Sequence, residues 1–332
     1  MQDFGQLGRR EAIKQLFEGT GFEPFADCSF EACEGERVVS ASKVLLEGID
    51  FDLVYFPLKH LGYKSVVEAT GSLYASLCRP RSLSVVLGIS AKLGFDMIKE
   101  LWSGVLAAAS EFGFDKLCLD LQPSRNGLTI SVCATGTAAG GERPAAESKD
   151  LLCVSGALGA AYLGLQVLEK GRAKFDKGED NREELERYRM LVAAYLKPEL
   201  PGSLPQQLKE AGIRPSASLL VDRGLADALL RLCSSTGLGA KVYADRIPFE
   251  GGSFDLGKAL DIDPVSAAMN GGEDWKILLA VPIADYESLR RDFQTFDIIG
   301  HLAQSDVGAV LVSPDGLEHP VSAPGWPSKD NL

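Results

Sequence analysis

Apolar and polar positions follow two periods along this chain, and the pattern switches repeatedly between them. Phe95, Ile98, Leu101, Trp102, Val105, Leu106, Ala109 and Phe112 recur at three- and four-residue steps, which predicts an amphipathic helix over 95–113. The segment SLSVVLGIS at 82–90 alternates and is rich in β-branched residues, which predicts a strand. The same reasoning predicts strands at 36–46, 115–121, 127–137, 151–156, 216–221, 239–243, 275–282, 296–301 and 308–312. It predicts helices at 7–18, 60–78, 157–171, 182–197, 223–236 and 284–294. A PSRNG turn with its Asn126-Gly127 pair joins two of these strands. Residues 136–148 are rich in Gly, Ala and Pro and read as a loop, after which LLCVSG opens a new unit. Strands and helices alternate through both halves, so the expected class is α/β or α+β with a boundary near 140–150.

Composition narrows the class. A length of 332 residues suggests two domains, at a prior of about 150 residues each. The net charge of -12 makes nucleic acid an unexpected partner, although a small local anion site remains compatible with it. The opening MQDFGQLGRREAIKQLF lacks the apolar region of a signal peptide. No stretch approaches the roughly 20 apolar residues needed to span a bilayer. The expectation is a cytoplasmic protein with no membrane partner.

The seven cysteines, Cys28, Cys33, Cys78, Cys118, Cys133, Cys153 and Cys233, form no C-x-x-C pair. An odd number, several in apolar runs, points to reduced and buried thiols. The histidines, His60, His301 and His319, do not cluster in sequence, which argues against a zinc site or a serine–histidine triad.

Two glycine-rich runs are candidates for chemistry. SGALGAAYLGL, 155–165, leads from a strand into a helix; it either presents backbone N–H groups to an anion or lets a helix pack closely. NGGEDW, 270–275, sets Glu273 and Asp274 at the entry to an apolar strand, where they either bind a cation or polar ligand or close a polar turn. In LEGIDF, 46–51, Glu47 and Asp50 follow a strand, a weaker signal.

Several segments together resemble the thiamine-monophosphate kinase family of the aminoimidazole-ribonucleotide synthetase superfamily. They are LLEGIDFDLVYFPLKHLGYKSVV, VSGALGAAYLGLQVLE, RGLADALLRLCSSTGLGAKVYADRIP, AMNGGEDWKILLAVP and the closing PGWP, in the family's order. The resemblance implies an α/β fold of two domains. The N-terminal one, 1–148, would be nucleotide-binding-like, its sheet forming an intersubunit barrel in a homodimer. The C-terminal one, 149–332, would be synthetase-like. It also implies ATP and magnesium as cofactors, with aspartates on several loops as metal ligands.

Those aspartates are mostly replaced. The family's G-D-D-A falls on Phe25, Ala26, Asp27 and Cys28, and its T-T-D ends on Lys43. Its N-L-S-D ends on Ser72, its G-G-D runs from Asp120 to Gln122, and its D-I-S-D runs from Leu220 through Asp222 to Arg223. Arg143 matches a family arginine, although Pro144, Ala145 and Ala146 depart from the motif that follows. Magnesium requires hard oxygen ligands, and a cation in a ligand position opposes it. The expectation is therefore a thiamine-monophosphate kinase-like protein with impaired catalysis and weakened ATP and magnesium binding; the alternative is an active kinase making thiamine diphosphate. Lys43, Arg143 and Arg223, with Asp27 and Asp222, either hold a nucleotide or phosphorylated small molecule, or close the pocket as salt bridges: Lys43 with Asp27, Arg223 with Asp222 or Asp120. On the substrate side the resemblance keeps Glu273, Asp274 and Trp326, and sets Asp50 where the family has histidine.

Overall fold

The strand β1 (Glu36–Leu46) shows how the N-terminal sheet is built. Leu45 is buried and Ala41 and Lys43 are half-buried on one side, while Ser40, Ser42 and Val44 are exposed on the other. That is the two-residue period of a strand with one covered face. In the computed structural model, residues 14–21, 36–139, 143–293 and 296–324 are described. They belong to two units, Met1–Gly141 with Leu196–Pro205, and Glu142–Tyr195 with Gln206–Leu332.

In the first unit, β1, β2 (Arg79–Ser90), β3 (Lys116–Ser124) and β4 (Thr129–Ala139) form one sheet in the order β1-β4-β2-β3. β4 pairs antiparallel with both β1 and β2, and β2 pairs parallel with β3. Helix α1 (Leu58–Ala75) lies against β1 and β4, and α2 (Phe95–Glu111) packs on α1. Their backbones touch because two glycines face each other's helix. A Cβ on Gly62 would lie 1.9 Å from the Leu101 carbonyl oxygen, and one on Gly104 would lie 1.9 Å from that of Lys59. The buried stripe of α2, Phe95, Ile98, Leu101, Trp102, Val105, Ala108 and Ala109, follows the expected spacing. Trp102 also donates its indole N–H to the Leu16 carbonyl at 2.9 Å.

The second unit carries seven strands in the order β11-β10-β7-β9-β5-β8-β6. They are β5 (Leu151–Val154), β6 (Ala217–Val221), β7 (Gly239–Tyr243), β8 (Lys276–Val281), β9 (Asp297–Ala303), β10 (Ala309–Val312) and β11 (Glu318–Pro320). β7 and β10 are parallel, and the other pairs are antiparallel. The helices are α3 (Ala160–Phe175), α4 (Arg182–Arg187), α5 (Arg189–Leu196), α6 (Leu204–Glu210), α7 (Leu225–Thr236), α8 (Ser253–Leu260), α9 (Pro264–Asn270) and α10 (Tyr286–Asp292). Leu225, Leu229 and Leu232 of α7 and Ala268 and Met269 of α9 join Val154, Val221, Val242, Leu278 and Ile299 in one core. The single helix expected over 182–197 is broken at Tyr188 into α4 and α5.

Candidate functional site

Sheet order creates the site. β5 and β6 flank β8 and run antiparallel to it, so the segments after β5 and β6 meet the segment before β8. Residues 155–159, 222–224 and 270–275 thus gather at one end of the second unit's sheet. The Glu273 N–H donates to the Asp222 carbonyl at 2.8 Å. Ser155 donates its N–H to the Ile277 carbonyl at 3.1 Å and accepts the Ile277 N–H on its hydroxyl at 2.9 Å. Gly224, at φ 91, passes so close to the α9 end that a Cβ would lie 2.4 Å from the Met269 carbonyl oxygen.

The NGGEDW segment is strained. Gly272, Glu273 and Trp275 have φ of 74, 65 and 53. The left-handed conformation costs a non-glycine residue on the order of 1 kcal/mol or more, and such residues gather at functional sites. Asp274 anchors the turn. It is 4% exposed, and its carboxylate accepts from the N–H groups of Gly159 at 2.8 Å and Ala161 at 3.3 Å, at the start of α3. Burial pushes this carboxyl up to about 7, against the opposing pull of those N–H groups and of Lys276.

This geometry bears on the run at 155–165 most directly. The first-turn donors of α3 serve the protein's own Asp274, and a Cβ on Gly159 would lie 2.7 Å from the Ala268 nitrogen. The run at 155–165 therefore serves packing. Asp274 is a buried turn anchor at the start of α3. Glu273 stays half-buried beside it.

The pairing of Asp222 with Arg223, one of the salt bridges considered, does not form among the described residues. Arg231, on α7, takes Asp222 instead: it donates to Asp222 at 2.9 Å, to Asp227 at 2.7 Å and to the Leu220 carbonyl at 2.8 Å. The signal was present as the Asp227–Arg231 spacing of four residues on a helix. Arg223 is exposed and makes no ion pair among the described residues. Lys276 lies alongside, its Nζ 3.8 Å from where a Cβ of Gly156 would be. At this end of the sheet Asp222 is held by a guanidinium and Asp274 by a helix start. Among the described residues, no group of three or more His, Cys, Asp or Glu is placed to hold a metal ion.

Other expected site residues are dispersed. Arg143 lines a cavity of about 380 Å³ with Pro144, Gly212, Arg214, Pro282 and Asp285. Arg214 precedes β6 and Pro282 follows β8, whereas Arg223 follows β6. The cavity is thus at the opposite end of the β6–β8 ladder, about 15–20 Å away at about 3.3 Å per residue. Arg143 and Arg223 do not form one phosphate site. In the first unit, Lys43 lies on the helix-facing side of β1, at one edge of the sheet, whereas Asp120 and Gln122 lie on the open side of β3, at the other edge. Three strand spacings are about 14 Å. Gln122 donates to Asp120 at 3.3 Å.

Asp50 accepts the Leu46 N–H at 2.7 Å, and Glu47 accepts that of Leu128 at 2.6 Å, so both shape the turn after β1. Ser72 is half-buried on α1, and Leu220 is a core residue of β6 at 4% exposure. Ala26, Asp27 and Trp326 lie outside the described residues. One surface hairpin brings Ser313, Asp315 and His319 together, but the serine hydroxyl donates to the aspartate, so no carboxylate orients the imidazole.

No family model matches the chain. Among curated proteins it is 24% identical over 246 residues to a thiamine-monophosphate kinase of Rhodopirellula baltica, covering 74% of this chain and 68% of that one. It is 22% identical over 328 residues to a thiamine-monophosphate kinase of Aquifex aeolicus, covering 96% and 99%. Among solved structures, AaThiL complexed with AMPPCP and TMP superposes with a TM-score of 0.73 at 20% identity, covering 96% of this chain and 97% of that one.

Proposed function

The chain is a relative of the thiamine-monophosphate kinases, and from that premise we propose that it binds a nucleotide or phosphorylated small molecule without phosphoryl transfer. The observation that carries this reading is the occupation of Asp222 by Arg231 next to an exposed Arg223. Phosphoryl transfer depends on neutralising and positioning phosphate oxygens, a task magnesium performs when several carboxylate oxygens are free to hold it. At the β6 and β8 loops Asp222 and Asp274 are committed to internal partners. A guanidinium there binds phosphate oxygens directly, through its planar fork, but supplies no metal-like polarisation. The relative's structure was obtained with AMPPCP and TMP, which supports a ligand of this class.

The reading includes a homodimer formed through the open face of the first unit's sheet, where Val44 is 54% and Val86 38% exposed. It also includes a cytoplasmic location. No helix among the described residues is long and apolar enough to cross a membrane. The test is the melting temperature with ATP in EDTA. Stabilisation by ATP that is lost in Arg223→Ala is expected. No stabilisation, or stabilisation indifferent to Arg223, overturns the binding assignment.

A further inference from the structure

Residues 196–205 belong to the first unit, although the chain up to Tyr195 and from Gln206 onward belongs to the second. They carry the chain from the end of α5 to the start of α6. Pro198, Pro201 and Pro205 have no N–H to donate, so this segment is seated chiefly by side chains. Its turn is shaped from within. Gly202 donates its N–H to the Leu200 carbonyl, and Leu204 to the Pro201 carbonyl, both at 2.9 Å.

Two contacts fix where the segment lies. The Lys197 ammonium sits over the Tyr63 ring, 5.3 Å from its centroid. A Cβ on Gly202 would lie 3.3 Å from the Tyr74 hydroxyl oxygen. Tyr63 and Tyr74 are close to three helical turns apart, so they share one face of α1 at a separation of about 16 Å. The extended stretch from Lys197 to Gly202 spans about the same distance, at about 3.3 Å per residue. The segment therefore runs along α1 as a strap. His60, one turn before Tyr63, lies on the same face.

Positive charge gathers where the strap begins. His60 is half-buried, and its ring is held below the usual histidine range by burial first, then by Lys197 on the strap and Lys59 beside it on α1. The carboxylates of this face act one turn further on. Glu111 of α2 accepts the Tyr63 hydroxyl at 3.0 Å, and Glu199 of the strap bears on that same hydroxyl. A proton on His60 thus sets a third cation against Lys59 and Lys197. Moving Lys197 away, and the strap with it, relieves the repulsion and returns the ring to water.

We propose that residues 196–205 are a pH-sensitive strap, seated along α1 while His60 is neutral and loosened when His60 takes up a proton. The seated state disfavours the imidazolium. Seating is therefore complete above the ordinary histidine value of 6.5 and is lost progressively as pH falls below it. The strap stands apart from the loops around Arg223 and does not rest on the function proposed for them.

Hydrogen exchange of the full chain tests it, read by mass spectrometry on peptides covering 197–204 and corrected for the intrinsic pH dependence of exchange. Protection of the strap should fall about three- to fivefold from pH 7.5 to pH 5, the scale of one close like-charge pair in water, while α2 keeps its protection. His60→Gln should remove the fall. Lys197→Met keeps the aliphatic stem over Tyr63 without the charge and should reduce it. The proposal fails if wild-type protection is equal at the two pH values, or if His60→Gln shows the same fall. It also fails if α2 loses protection in step with the strap, which marks a global change. Should His60→Gln not fold, Lys197→Met decides alone, and an undiminished fall in that variant overturns the proposal.

Discussion

Asp274 makes the protein's stability fall as pH rises through neutrality. Its carboxyl is pushed up to about 7 from 3.8, chiefly by burial. Between those values the folded chain holds a proton that the unfolded chain has released. The stabilising contribution is therefore complete below about pH 4 and is lost as pH climbs through about 7. At about 1.4 kcal/mol per unit, the loss between pH 5 and pH 8 is about 2–3 kcal/mol. His60 and His301 act in the opposite direction, since burial lowers both and the folded chain sheds their protons first. The informative quantity is thus a difference between wild type and Asp274→Asn. The amide cannot ionise, and its carbonyl still accepts from one of the two α3 N–H groups. Urea midpoints measured every half unit from pH 5 to 8 should show the wild type losing this stability relative to the variant, with most of the loss between pH 5 and 7. A constant difference across that range would refute the placement of a buried, titrating carboxyl at the start of α3.

Other residues give independent checks. Gly62→Ala places a Cβ 1.9 Å from the Leu101 carbonyl oxygen and forces α1 from α2, so a loss of about 3 kcal/mol is expected in urea unfolding. Arg231→Met keeps the aliphatic stem but releases Asp222, Asp227 and the Leu220 carbonyl, for an expected loss of about 1–2 kcal/mol in the same assay. Cys153 is fully buried, with its thiol pushed up to about 12 by that burial. It should stay unlabelled by an aromatic disulfide reagent at pH 8 in the native protein and react once the chain unfolds.

The fold was largely legible because its elements carry clean periods. The strand expected at 36–46 and that at 239–243 coincide with β1 and β7, and the stripe of α2 was readable residue by residue. The short helices α6, α8 and α9 were not found, since seven or eight residues give barely two turns of pattern. For α9 a local signal did exist. Asp263 accepts the N–H groups of Val265 and Ser266, with proline as the first helical residue.

The site was harder to read because side-chain commitment depends on non-local neighbours. Sequence identifies Asp274 as acidic, yet only the approach of α3 to the NGGEDW turn makes it a buried anchor. Arg143 and Arg223 look alike as replacement cations, and only the antiparallel β6–β8 pairing sets them at opposite ends of a strand. Pairing of Asp222 with its sequence neighbour is one salt bridge the sequence allows, but a side chain nine residues on reaches it from the helix.

The proposed function holds that Asp222 and Asp274, at the β6 and β8 loops, serve internal partners rather than a metal, next to an exposed Arg223. The most direct measurement is the formation of thiamine diphosphate from ATP and thiamine monophosphate with excess magnesium, using the full chain. No product above the protein-free blank is expected. Sustained turnover that disappears on Asp222→Asn would contradict the claim, because Asp222 would then be serving the reaction and not Arg231.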